Sequence, residues 1–162
     1  MSKALMEPKS SLLTLPERLK RHWGAHGVKI RPGVSEEELR NFETAHGVRF
    51  SQDLRDYFRA VDGMEEGTMA TDYFSFWPLH TIKRMSEELG PECYADVIEP
   101  DQYFIFADYC IWCWGYAIRL TGNHADSNPV FFTGNRPDNG RIIASSFTEF
   151  LELYLTDEAH LY

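Results

Sequence analysis

Apolar residues return at helical spacing in four stretches of the chain and at strand spacing in several shorter ones. Leu12, Leu15, Leu19 and Trp23 mark a first helix, with Pro16 tolerated in its first turn and Gly24 and Gly27 closing it. Ser35 and Glu38 form a capping-box pattern before a second helix, whose inner face is Leu39 and Phe42 and whose end is Gly47. Ser51 opens a third, in which Leu54, Tyr57, Phe58 and Val61 follow the i, i+3, i+4, i+7 pattern up to Gly63. Ser146 and Glu149 open the last, striped by Phe147, Phe150, Leu151, Tyr154 and Leu155. A short helix is expected over residues 81–89.

Between the third and last of these helices the period drops to two. Residues 73–79 (YFSFWPL) predict a strand ended near Pro78, and residues 130–133 and 141–144 predict two more, with Asn139 and Gly140 as a hairpin signal. The most apolar stretch, residues 103–120 (YFIFADYCIWCWGYAIRL), predicts two adjacent central strands, apolar on both faces. From Cys110 onward, Trp112, Trp114, Tyr116, Ile118 and Leu120 share one face, while Ile111, Cys113, Gly115 and Ala117 on the other run mostly small. The small face is expected against helices. The aromatic row is either core, which the bulky helix stripes favour, or an exposed binding platform. Helices, then a mainly antiparallel sheet of about five strands, then a closing helix define an α+β fold with helices chiefly on one face. One domain over residues 1–162 is expected, with residues 1–10 a flexible tail.

Charge separates the middle of the chain from the rest. The net charge is −9, and residues 60–118 hold eleven acids against only Lys83 and Arg84; elsewhere fourteen acids balance fourteen bases. Such asymmetry suits a basic partner, or else merely a solvated surface, and it disfavours nucleic acid, whose phosphates need a basic face. Residues 62–72 (DGMEEGTMATD) are expected to form an exposed, mobile acidic loop. Three cysteines make no even disulfide framework, and residues 1–10 lack the apolar core of a signal peptide. Asp108 interrupts the longest apolar run, which falls short of the ~20 residues a spanning helix needs. A reduced, cytoplasmic protein with no membrane partner is expected.

Chemistry is mostly excluded. Cys110 and Cys113 are three apart on a predicted strand, so their side chains would point to opposite faces and pack in the core, not chelate together. His22 and His26 have i, i+4 spacing, but no glutamate follows the first and two glycines end the helix there. No nucleophile elbow or phosphate loop occurs. No metal, cofactor or catalytic residue is expected, a small hydrolase using carboxylates or Cys93 being the minor alternative.

Residues 32–63 (PGVSEEELRNFETAHGVRFSQDLRDYFRAVDG), then FWPL at 76–79, YFIFADY with GYAIRL, and SFTEFLELYL at 146–155 together resemble the SUKH superfamily, the immunity-protein group that includes fungal cell-wall-assembly regulators. The resemblance implies a single α+β domain that binds proteins and is not an enzyme; many bacterial members are implied to neutralise toxins. It carries over no site residues. The expected partner is therefore a toxin with a basic surface, bound by a monomer or weak dimer, with a cytosolic adaptor as the alternative. The candidate contacts are Asp62, Glu65, Glu66 and Asp72 in the acidic loop, Glu92, Asp96 and Asp101 beyond it, and Trp112, Trp114 and Tyr116.

Overall fold

The computed structural model describes residues 13–134 and 138–162. The expected tail over residues 1–10, and Leu12, lie outside them. Helix α1 (Leu15–Ala25) begins where Thr14 and Glu17 close a capping box, and it buries Leu19 and Trp23. After β1 (Ile30–Pro32), α2 (Glu36–His46) starts at the anticipated Ser35–Glu38 box and stops at Gly47, whose φ of 65° is left-handed. Helix α3 (Gln52–Ala60) follows Ser51, although that hydroxyl donates to Asp53 Oδ1 at 2.5 Å instead of capping the backbone.

The chain leaves α3 earlier than the apolar spacing implies. Val61 is extended and opens β2 (Val61–Met64), which pairs antiparallel with β1, and all four residues are buried. Asp62 drives this departure: its Oδ1 accepts the Leu79 N–H at 2.7 Å and its Oδ2 accepts from Arg31 Nη2 at 3.2 Å. A buried carboxylate needs such donors, and they lie beside an extended backbone, not on a helix surface.

Among the described residues six strands form the main antiparallel sheet, against the about five expected: β3 (Phe74–Phe76), β4 (Lys83–Arg84), β5 (Tyr103–Tyr109), β6 (Trp114–Arg119), β7 (Val130–Thr133) and β8 (Ile142–Ala144). The order is β3-β5-β6-β7-β8, with β4 also pairing β5. The expected helix over residues 81–89 divides into the 3₁₀ turn Leu79–Thr81, β4 and the one-turn α4 (Met85–Glu88). Helix α5 (Phe147–Thr156) closes the chain from the predicted Ser146 cap.

Helices α1, α3 and α5 cover one face through aromatic contacts: Trp23 and Tyr154 on Phe76 at 5.2 and 4.9 Å, Tyr57 on Phe147 at 4.9 Å, and Phe150 on Phe106 and Tyr116, both at 5.2 Å. The covered face is thus the one carrying Tyr116 and Ile118, not the small-residue face expected there. Small residues serve the opposite side, where Ala117 and Ile105 pack with Met85 of α4 and with Trp77, Tyr94 and Trp112.

A bulge in β5 decides which residues face that side. Ile105 pairs with Ala117 and Ala107 with Tyr116, leaving Phe106 as the extra residue. By strict alternation Asp108 would share the helix-covered face with Phe104 and Phe106. The bulge moves it to the other face, opposite Gly115 on β6 and Ser75 on β3.

Candidate partner-binding cleft

Asp108 lies in the wall of a cleft of about 390 Å³ on the face away from α1, α3 and α5. Glu65, Glu66 and Met69 line it from the loop after β2, Trp77 and Lys83 from the segment after β3, Glu88 from α4, and Ile111 and Trp112 from the turn joining β5 and β6. Trp77 and Trp112 meet edge to face, with centroids 5.4 Å apart. Trp112 can lie flat against the sheet because residue 115 is glycine: a Cβ there would stand 2.8 Å from the indole. Met69 and Ile111 are exposed, Ile111 at 80%, and give the rim an apolar edge.

The charge of the cleft is acidic. Among the described residues of the lining the one lysine or arginine is Lys83, held by Glu88 at 2.5 Å, so Glu65, Glu66 and Asp108 have no such partner there; Glu66 lies 3.6 Å from His80 Nε2 at the edge. Asp108 is only 7% exposed; its Oδ2 accepts from Trp77 Nε1 at 2.7 Å and its Oδ1 from the Trp112 N–H at 3.2 Å. Burial raises its carboxyl above the ordinary range, the two hydrogen bonds offset part of that rise, and Glu88 adds to it. A group raised in the folded state contributes stability below its unfolded pKa and loses it as pH climbs through the folded value. The stability of the native protein relative to Asp108→Asn, which stays neutral, should therefore increase as pH falls from 7 towards 4. Urea denaturation at both ends measures it, and a gap that shrinks on acidification would contradict the burial argument.

The turn itself is unusual. Cys110, Ile111 and Trp112 have φ of 51°, 53° and 64°, three consecutive non-glycine residues in the left-handed region. Each costs about 1–2 kcal/mol, worst for the β-branched isoleucine. Asp108 Oδ1 on the Trp112 N–H, the Cys110 N–H on the Tyr73 carbonyl (2.8 Å) and the Cys113 N–H on the Tyr109 carbonyl (2.9 Å) hold the turn. Ile111→Asn removes the β-branch at an exposed site and should raise stability by ~1 kcal/mol, read as a higher urea midpoint. A lower midpoint would show that Ile111 is held by packing.

This turn also corrects the reading of residues 110–113 as strand. Cys110 and Cys113 flank a bend, so alternation does not separate them, and neither is core: Cys113 is exposed, and Cys93 and Cys110 are half-buried. The Cys113 thiol donates to the Cys110 carbonyl at 3.1 Å, and its interaction with Cys110, followed by burial, raises its pKa, which disfavours the reactive thiolate.

Of the ten candidate contacts, Glu65, Glu66 and Trp112 meet in the cleft. Asp62 is buried as a structural acceptor, correcting its place in an exposed loop. The Asp72 side chain is 4% exposed and faces His22 and Tyr154 instead of solvent. Tyr116 is core, its O–H donating to the Leu161 carbonyl at 2.6 Å, and Trp114 stacks on Tyr109 at 4.6 Å, on the helix-covered side. Glu92, Asp96 and Asp101 are exposed on the connector between α4 and β5, outside the cleft. Sequence reasoning passed over Trp77 and Asp108; the available signal was a lone carboxylate inside the apolar YFIFADY run.

Carboxylates at the mouth and two indoles below them suit a cation, which gains from both the charge and the ring faces. Among the described residues of the lining there is no histidine or cysteine, and Ser75 donates its hydroxyl to the Thr68 carbonyl at 2.5 Å. Helices α1, α3 and α5 on one side of an antiparallel sheet and an open acidic cleft on the other define an α+β domain, and none of its described helices is long and apolar enough to cross a membrane. The chain belongs to the SMI1/KNR4 family (SUKH-1), whose family model matches residues 33–153. That span runs from the turn before α2 into α5 and includes every cleft residue. No curated protein matches the chain.

Proposed function

We propose that this protein is a non-catalytic, cytoplasmic protein-binding domain, an immunity protein that neutralises a cognate toxin domain by covering a basic surface. The observation that carries the reading is the pairing of Glu65, Glu66 and Asp108, none of which meets a lysine or arginine in the cleft lining, with the Trp77–Trp112 wall. An arginine or lysine of the toxin enters the cleft, its charge met by the carboxylates and its stem by the indoles. Membership of SUKH-1 supports a binding role, and the concentration of acids between residues 60 and 118 supports a basic partner. Neutralisation needs no turnover: a monomer, or a weakly associated dimer, occludes the toxin for as long as the complex lasts.

Co-expression with a toxin domain proposed as its partner, sought among neighbouring genes, tests this. The native chain should restore growth, and a folded Glu65→Gln/Glu66→Gln/Trp112→Ala variant should fail to. Equal rescue by the variant would remove the cleft from the interface; absence of rescue by the native chain would favour an adaptor that binds a host protein.

A further inference from the structure

A second group of chemistry-bearing side chains lies apart from the cleft, at the C-terminal end of α1. His22 and His26 sit one turn apart with ring centroids separated by 4.2 Å. Asp72 reaches them from the segment before β3, its Oδ2 2.9 Å from His22 Nε2. One imidazole nitrogen from each histidine and one Asp72 oxygen all lie within 4.8 Å of one another. The helix continues through Gly24 to Ala25, with His26 as its C-cap, so the glycine that appeared to separate the two histidines does not.

The carboxylate is held in place. Asp72 Oδ2 also accepts the Tyr154 O–H at 2.7 Å, its Oδ1 accepts the Phe74 N–H at 3.2 Å, and Tyr154 in turn accepts from Trp23 Nε1 at 3.2 Å. His26 is fixed by Thr71, whose Oγ1 is 2.7 Å from Nδ1. Supporting hydrogen bonds of this kind orient metal ligands and raise their affinity, and the negative end of the α1 dipole favours a cation here. His22 is 22% exposed in its side chain, so solvent reaches the group.

We propose that His22, His26 and Asp72 form a zinc-binding site, with water as the fourth ligand. Two imidazoles and one carboxylate suit Zn²⁺; Ca²⁺ and Mg²⁺ need larger sets of oxygen ligands. At metal–ligand lengths of about 2.0–2.1 Å the donors of a tetrahedral site stand roughly 3.4 Å apart, so binding requires closure on the order of 1 Å. Small side-chain rotations at the half-buried histidines supply it. The bound ion ties residues 65–73, which also carry the cleft acids Glu65 and Glu66, to α1 and through Tyr154 to α5.

The test is a titration of the full chain with Zn²⁺ against a chromophoric chelator, together with the visible spectrum of the Co²⁺ form. Cys93→Ser/Cys110→Ser/Cys113→Ser serves as the host so that thiols contribute nothing. One equivalent should bind to the host with the intense cobalt absorption of a four-coordinate site. His22→Ala or His26→Ala should weaken binding at least tenfold, and Tyr154→Phe, which removes only an orienting hydrogen bond, by a smaller factor. A host that binds no metal, six-coordinate cobalt, or undiminished affinity in a folded His26→Ala variant would each overturn the assignment.

Discussion

Gly63→Ala is expected to destabilise the protein by about 3 kcal/mol, combining left-handed strain with a collision in a packed site. Gly63 has φ of 59°, and a Cβ there would stand 2.5 Å from the backbone oxygen of Trp77 and 2.9 Å from that of Phe76. Neither atom can move aside cheaply, since the Trp77 N–H is bound to the Phe106 carbonyl at 2.7 Å and the Phe76 backbone lies in β3. Gly67→Ala separates the two contributions: φ is 78°, but nothing lies within 4 Å of the added methyl, so only about 1 kcal/mol of backbone strain is expected. Urea denaturation of both variants measures the difference. Equal losses would mean that the close approach of β2 to Trp77 is not needed for the fold.

On the proposed toxin-binding role, Trp112→Ala should weaken association with the partner by about 30-fold or more, the scale of an aromatic anchor worth ~2 kcal/mol. The indole forms a wall of the cleft and lies against Gly115, so truncation removes contact area and opens the site to water. Glu65→Gln/Glu66→Gln acts differently. Both carboxylates are exposed at the mouth, so in the proposed complex they would steer encounter: the variant should associate more slowly at low salt and show a flatter dependence on ionic strength. Trp114→Ala is the contrasting variant, because that ring stacks on Tyr109 and donates to the Tyr116 hydroxyl at 2.9 Å, behind the sheet. It should lower stability and leave the association rate of the folded fraction unchanged. Stopped-flow binding from low to high salt reads all three, and a Trp114→Ala loss equal to that of Trp112→Ala would place the interface elsewhere.

Local rules carried most of the helices. The Ser35–Glu38 box, the Gly47 stop and the Ser146 cap are one-turn events whose residues are adjacent in sequence, and each stands where it was read. What failed depended on distant partners. Asp62 looks like a solvated loop acid until the Leu79 N–H and Arg31 arrive from residues far along the chain, and Val61 continues a helical stripe although tertiary pairing takes it into β2. At residues 110–113 the alternation of large and small side chains mimicked a strand, because a turn held by Asp108 leaves no mark in periodicity.

Cleft legibility was partial for the same reason. Glu65, Glu66 and Trp112 stood out by charge and size, whereas Trp77 and Asp108 owe their place to the register of β3 on β5 and to the bulge at Phe106. That one extra residue sends Asp108 to the cleft face; without it the carboxylate would lie on the helix-covered face. The histidines were legible as a pair, but Asp72, 46 residues beyond His26, was not legible as their neighbour.

Hydrogen exchange of the protein alone and in complex with the toxin domain proposed as its partner tests the cleft as the interface most directly. Slowed exchange is expected over residues 65–69 and 110–113, with residues 91–101, where Glu92, Asp96 and Asp101 sit outside the cleft, exchanging as in the free protein. Protection confined to residues 91–101, or to the exposed sides of α1 and α5, would contradict it.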